Sequence, residues 1–200
     1  MQRRAFLAGL GALAVAGCGG GGGGQTAREP TETATGAGAR LPGAPDDAAT
    51  VAYVLKLEQV EADLYRRAAD SGFFKGRELA LIQALRDEED EHVDMLAGAL
   101  HRLGGKAPAA PETRLALEDR DGVLRVAVRL ENLGAAAYLG QLDRIRDRDV
   151  LATLLSIHTV EARHATALNL LLGKSPTPNG AFGRPEDMAT VLRVLDVYLA

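Results

Sequence analysis

From about Asp47 onward, apolar residues recur at spacings of three and four, with no period-two alternation of useful length. That pattern predicts an all-α chain. Helix A is expected from about Asp47 to Asp70, B from Gly76 to Leu103, C from Asp119 to Arg146, D from Asp149 to Leu172, and a shorter E from about Pro185 to Ala200. Asp46, Asp47 and Asp119 are suitable caps, because a short side-chain oxygen can accept from the free N–H groups of a first turn. Ser71-Gly72 separates A from B by a short turn, whereas the stretch from Gly104 through Pro111 and beyond separates B from C by a long one. Short and long connections in this order suit two antiparallel hairpins joined by one crossover.

The inner rows of these helices carry residues that a core normally excludes. On helix B the row is Ile82, Leu85, Glu89, His92, Leu96, Ala99 and Leu103, and on D it is Leu154, Ile157, Glu161, His164, Leu168 and Leu171. Helix C offers Leu124, Val128, Glu131, Ala135, Tyr138 and Leu142, and helix A offers Val51, Val54, Glu58, Glu61 and Tyr65. An uncompensated buried carboxylate costs roughly several kcal/mol, so four or more facing one core require a positive partner. Two divalent cations would neutralise four carboxylates. Residues three apart on a helix point the same way, so a Glu and a His one turn apart can reach one ion.

The hairpins also repeat each other. Leu57-Glu58-Gln59-Val60-Glu61-Ala62-Asp63-Leu64-Tyr65 aligns without a gap on Leu130-Glu131-Asn132-Leu133-Gly134-Ala135-Ala136-Ala137-Tyr138. Glu89-Asp90-Glu91-His92 on helix B answers Glu161-Ala162-Arg163-His164 on helix D. One Glu-x-x-His is a weak signal, but two of them, each following an aligned glutamate, are a strong one.

With these residues in place, the chain from about 47 to 173 resembles the ferritin-like di-iron carboxylate proteins, in which two helices give one Glu each and two give Glu-x-x-His. The resemblance implies a ferritin-like four-helix bundle, with Glu58 and Glu131 as terminal ligands, Glu89 and Glu161 as bridging ligands, and His92 and His164 as nitrogen ligands. It implies two iron ions and ferroxidase or peroxide-consuming oxidoreductase chemistry with O₂ or H₂O₂. A manganese centre disproportionating peroxide, or a metal-binding stress-protective lipoprotein without turnover, are the alternatives. Glu61 competes with Glu58 as the helix A ligand, and its counterpart Gly134 favours Glu58. Tyr65 and Tyr138 are either partners of the ligands or ordinary core residues. His158 is an extra ligand or relay, or a half-exposed structural histidine, and His101 belongs on the surface. The acidic run Asp87, Glu88, Asp90, Glu91 reads as a solvated face that could also attract cations. No Cys-x-x-Cys pairs follow the bundle, so the rubredoxin-like partner of rubrerythrins is absent from this sequence. A storage cage is the least favoured family function, and a monomer or dimer is expected.

Composition narrows the partners. The chain is 46% hydrophobic and 4% aromatic, with a formal charge of −4, so no basic surplus is available to neutralise nucleic-acid phosphates. Cys18 is the only cysteine, which excludes a disulfide framework and a cysteine-rich zinc site and leaves oxygen and nitrogen donors.

The first residues read as an address. Arg3 and Arg4, an uncharged apolar run through Ala16, and Val15-Ala16-Gly17-Cys18 together read as a signal peptide over 1–18, shorter than the roughly 20 residues of a membrane span. The paired arginines resemble a twin-arginine export signal and the residues ending at Cys18 resemble a bacterial lipobox. This implies an exported, membrane-anchored lipoprotein of the bacterial cell envelope, touching the membrane through its lipid alone. Residues 19–46, with six consecutive glycines, form a flexible tether, and 174–200 form a linker and C-terminal helix.

Overall fold

A computed structural model describes residues 46–200, and the expected signal peptide, Cys18 and all but the last residue of the tether lie outside the described residues. Five α-helices follow in order: α1 (Asp47–Asp70), α2 (Gly76–Arg102), α3 (Arg120–Leu139), α4 (Arg148–Leu171) and α5 (Met188–Leu195). Among the described residues the only β pairing is an isolated bridge between Thr113 and Leu199. The expected all-α architecture, with two hairpins, a long crossover and a short last helix, is the one observed.

Aspartates start four of these helices. Asp46 accepts from the Ala49 N–H at 2.7 Å, Asp119 from Gly122 at 2.6 Å, Asp147 from Asp149 and Val150 at 2.9 and 3.0 Å, and Asp187 from Thr190 at 2.9 Å. Replacing such a cap by alanine typically costs about 1 kcal/mol. Between α1 and α2 the chain reverses at Gly72, whose φ of 75° falls in the left-handed region that glycine adopts without strain.

Two polar clamps set the helix directions. The Asp47 carboxylate, at the start of α1, accepts from the backbone N–H groups of Arg146 and Asp147, just before α4, at 3.2 and 2.7 Å. At the other end Arg120, at the start of α3, forks onto Glu78 near the start of α2, at 2.8 and 2.6 Å. Thus α1 and α4 start together at one end of the bundle and α2 and α3 at the other. The closest packing is within each hairpin; α1 also packs on α3, while α2 and α4 touch only sparingly. Helix α1 is the most enclosed, with Val51, Val54, Leu55, Leu57, Val60, Leu64 and Tyr65 all at 0% exposure.

Helix C is shorter than its hydrophobic row suggested. It ends at Leu139, and a 3-10 turn (Leu142–Arg144) replaces the expected run to Arg146. The cause comes from far along the chain: the Glu186 N–H donates to the Ala136 carbonyl at 2.9 Å, and a Cβ on Gly140 would lie 2.0 Å from the Glu186 carbonyl oxygen. The segment entering α5 therefore lies against the last turn of α3, where only glycine fits. Helix α5 then buries Val191 and Leu195, and the final residues pair with the crossover through Arg114 N–H to Tyr198 O at 2.7 Å and Ala200 N–H to Glu112 O at 2.9 Å. The crossover itself is fastened to α1 by Arg67, which donates to the Leu115 carbonyl at 2.9 Å, and by Thr113, which donates to Asp63 at 2.5 Å.

Candidate metal centre

The inner rows bring all six expected ligands into the middle of the bundle. Glu58, Glu89, Glu131 and Glu161 are at 0% exposure, His164 at 3% and His92 at 9%. They form two groups of four, Glu58, Glu89, His92, Glu161 and Glu89, Glu131, Glu161, His164; within each group one donor atom per residue lies within 4.8 Å of the others. Glu89 and Glu161 belong to both groups, while Glu58 with His92, and Glu131 with His164, belong to one each. His92 Nδ1 lies 3.1, 3.2 and 3.3 Å from oxygens of Glu58, Glu161 and Glu89. His164 Nδ1 lies 2.9 Å from Glu89 and 3.4 Å from Glu131. The two imidazoles stack with centroids 6.0 Å apart.

Several of these close approaches are not hydrogen bonds. His164 Nδ1, Glu89 Oε1, Glu131 Oε2 and both oxygens of Glu161 are buried without a hydrogen-bonding partner, although Nδ1 is 2.9 Å from that Glu89 oxygen. Buried polar atoms are ordinarily paired. Lone pairs converging out of line with one another are what ligands around a shared cation present. The donor set of carboxylates and imidazoles suits iron or manganese, and the buried acidic and histidine cluster could hold a metal on both counts.

The electrostatics give the same answer. Burial, then the neighbouring carboxylates, push Glu161 and Glu61 well above the ordinary carboxylate range; burial and Glu58 raise Glu89 to about 8. Glu58 goes the other way, because contacts from His92, Glu89 and Tyr138 outweigh the burial that opposes its anion. Burial lowers the basicity of His164, but Glu131 and Glu89 overcome it and push the imidazole up to about 11; His92 is raised by Glu161, Glu58 and Glu89 against the same opposition. The protein alone thus holds surplus negative charge that protons or metal cations must neutralise.

The tyrosines are partners of the buried carboxylates, and they cross between hairpins. Tyr138 of α3 donates its hydroxyl to Glu58 of α1 at 2.6 Å, and Tyr65 of α1 donates to Glu131 of α3. Both are fully buried. The periodicity placed them inside without revealing their partners, which lie on another helix. Glu88, which the sequence places in a solvated acidic run, has a specific partner. It accepts from His164 Nε2 at 2.6 Å and leaves Nδ1 of that ring turned toward the cluster. Its only sequence signal is adjacency to Glu89, and its repeat counterpart is Val160. His158 is half-buried, belongs to neither group, and is made less basic by its burial; His101 is exposed.

Glu61 lies on the same face of α1 as Glu58, at 0% exposure, but is in neither group of four. On the other side, a cavity of about 800 Å³ opens between α2 and α4, which touch only sparingly. Leu81, Leu85, Met95, Ile157 and Val160 line it, His92 and His164 border it, and Glu88, Glu91 and Arg163 supply its charged groups.

A bundle of two repeated hairpins around a buried cluster of carboxylates and histidines defines a class, and sequence comparison agrees with it. A family model described as a ferritin-like domain matches residues 46–174, so this chain belongs to that family. Among solved structures it is similar to a conserved hypothetical protein, rv2844, from Mycobacterium tuberculosis, at 24% identity and a TM-score of 0.58, over 64% of this chain and 90% of that one. That likeness shows the fold. No curated protein matches the chain.

Proposed function

We propose that this protein is an exported ferritin-like oxidoreductase that holds two iron ions and consumes O₂ or hydrogen peroxide. The observation that carries the reading is the pair of four-residue groups sharing Glu89 and Glu161. Glu58 and His92 would complete the shell of one ion, Glu131 and His164 that of the other. When bound, such an iron pair supplies one electron from each metal to the oxidant.

The chain's own residues do the rest. Glu89 and Glu161 tie the two positions together, and four carboxylates balance the charge of two divalent ions. Tyr138 and Tyr65 hold one oxygen of each terminal glutamate, which leaves the second oxygen to face the centre. Glu88 fixes the ring of His164. The apolar lining between α2 and α4 admits a small neutral oxidant to the histidine side, and Glu88 and Glu91 at that cavity favour the approach of cations. Because Glu89 and Glu161 must shed protons to bind metal, uptake strengthens as pH rises.

The test is anaerobic loading of the full chain with Fe(II), followed by admission of O₂ or peroxide. About two ions per chain, oxidant uptake and a rise in near-ultraviolet absorbance are expected. Retained iron without uptake would point to a binding protein lacking turnover, and negligible retention would remove the proposal. Because oxygen-rich donors also accept manganese, Mn(II) with peroxide is the parallel arm, and evolution of O₂ there would favour peroxide disproportionation.

Export and lipid anchoring belong to the same proposal and rest on Arg3, Arg4 and Cys18. Cys18→Ser should move the protein from the membrane fraction to the soluble fraction, and an unchanged distribution would refute the anchor.

A further inference from the structure

Glu61 is a buried acid that the reading above does not use. Neither of its side-chain oxygens has a hydrogen-bond partner, and its exposure is 0%. A neutral acid in that position would need an acceptor for its own O–H, and an anion would need donors or a cation. No side-chain donor meets either oxygen.

The room for this carboxylate is made across the helix pair by Gly134. A Cβ on Gly134 would stand 2.8 Å from Glu161 Oε2 and 3.3 Å from Glu61 Oε1. Glu61 and Glu161 therefore pack against the same bare stretch of α3, and Glu161 is one of the two carboxylates common to both groups. In the repeat, Gly134 is also the residue that answers Glu61. One hairpin contributes an extra acid at this level, and the other contributes the absence of a side chain.

Resting on the dinuclear reading, we propose that Glu61 is a fifth carboxylate ligand, reaching from α1 beside Glu161 into space left by Gly134. Four carboxylates already balance two divalent cations. A fifth leaves one negative charge over, which a trivalent ion in one position neutralises. The centre therefore discriminates in favour of trivalent over divalent metal, and its two positions are unequal, because only one half of the repeat carries the extra acid.

Redox-inert ions test this without turnover. The full chain and Glu61→Gln are titrated with Zn(II) and, from a chelator-buffered solution, with Ga(III). The wild type should bind about two Zn(II). Glu61→Gln should keep that stoichiometry while its ratio of Ga(III) to Zn(II) affinity drops at least about tenfold, the direction fixed by removing one unit of negative charge beside the ions. Loading should also raise the melting temperature of the variant less than that of the wild type.

An unchanged ratio in a variant that still binds two Zn(II) would overturn the proposal and leave the dinuclear reading intact. Failure of the wild type to bind Zn(II) or Fe(II) would overturn both. A crystal structure of the Zn(II)-loaded wild type decides the matter without any variant. A Glu61 oxygen within about 2.2 Å of an ion is expected, and a Glu61 carboxylate clear of both ions overturns the assignment.

Discussion

The first hairpin, α1 with α2, and the second, α3 with α4, agree in Glu58 and Glu131, Tyr65 and Tyr138, Glu89 and Glu161, His92 and His164. Among the positions at which they part are Glu61 against Gly134, Glu88 against Val160, and Arg86 against His158. The residues in agreement make up the cluster and its tyrosine partners. Two of these three differences give the first hairpin an acid that the second lacks, and Glu88 serves the histidine of the second. A symmetric scaffold thus supplies two matching groups of carboxylates and a histidine, and a few differences in one half make their surroundings unequal.

Changing the shared residues should have the largest effect. Glu89→Ala or Glu161→Ala should abolish retention of both ions, whereas Glu58→Gln or Glu131→Gln should lose one, as counted by metal analysis after desalting. Equal behaviour of shared and terminal variants would break the division into two groups.

A second effect follows from charge in the metal-free protein. Glu89 is raised to about 8, and Glu161 and Glu61 are raised too, so between the ordinary carboxylate range and about pH 8 the folded chain binds more protons than the unfolded chain. Stability is therefore full below that window and declines as pH rises through it. His164, pushed up to about 11, extends the decline upward from the ordinary histidine range. Melting temperatures of the metal-free protein should fall from pH 5 to pH 8 by this linkage, and Glu61→Gln should flatten the fall. A profile rising with pH would contradict the burial of these acids.

The Glu88 contact sharpens the contrast between the histidines. Glu88→Gln should weaken one of the two ions by about 10- to 100-fold and leave the other nearly unchanged; Val160→Ala, at the matching position, should weaken neither. Isothermal titration resolves the two affinities.

The smallest difference is expected between the tyrosines. Tyr65→Phe and Tyr138→Phe each leave a buried carboxylate oxygen without its donor, at about 1–3 kcal/mol apiece by denaturant unfolding. Near-equal losses would mark this part of the repeat as symmetric.

Local regularity explains which features could be read from the sequence. The bounds of α1 coincide with its hydrophobic pattern and its Asp46 cap, and the six inward-facing residues of the cluster were legible because two aligned motifs reinforced each other. The end of α3 was not, because it is set by the Glu186 backbone, which arrives from far along the chain. Glu88 looked like one acid in a solvated run, and its side chain is indeed 52% exposed; only the approach of α4 gives it a histidine. By sequence alone Glu61 and Glu58 are rivals for one place on helix A. In the folded chain Glu58 meets His92 and Tyr138, while Glu61 stands apart beside Gly134 and Glu161.

The exchange of tyrosines between hairpins bears on how long a cargo stays aboard. Since Tyr65 and Tyr138 each reach across to the opposite half, prising the halves apart loosens both terminal glutamates at one stroke. Escape of the first ion and of the second through that opening should then be coupled, and their half-lives against a strong chelator should converge on a common value.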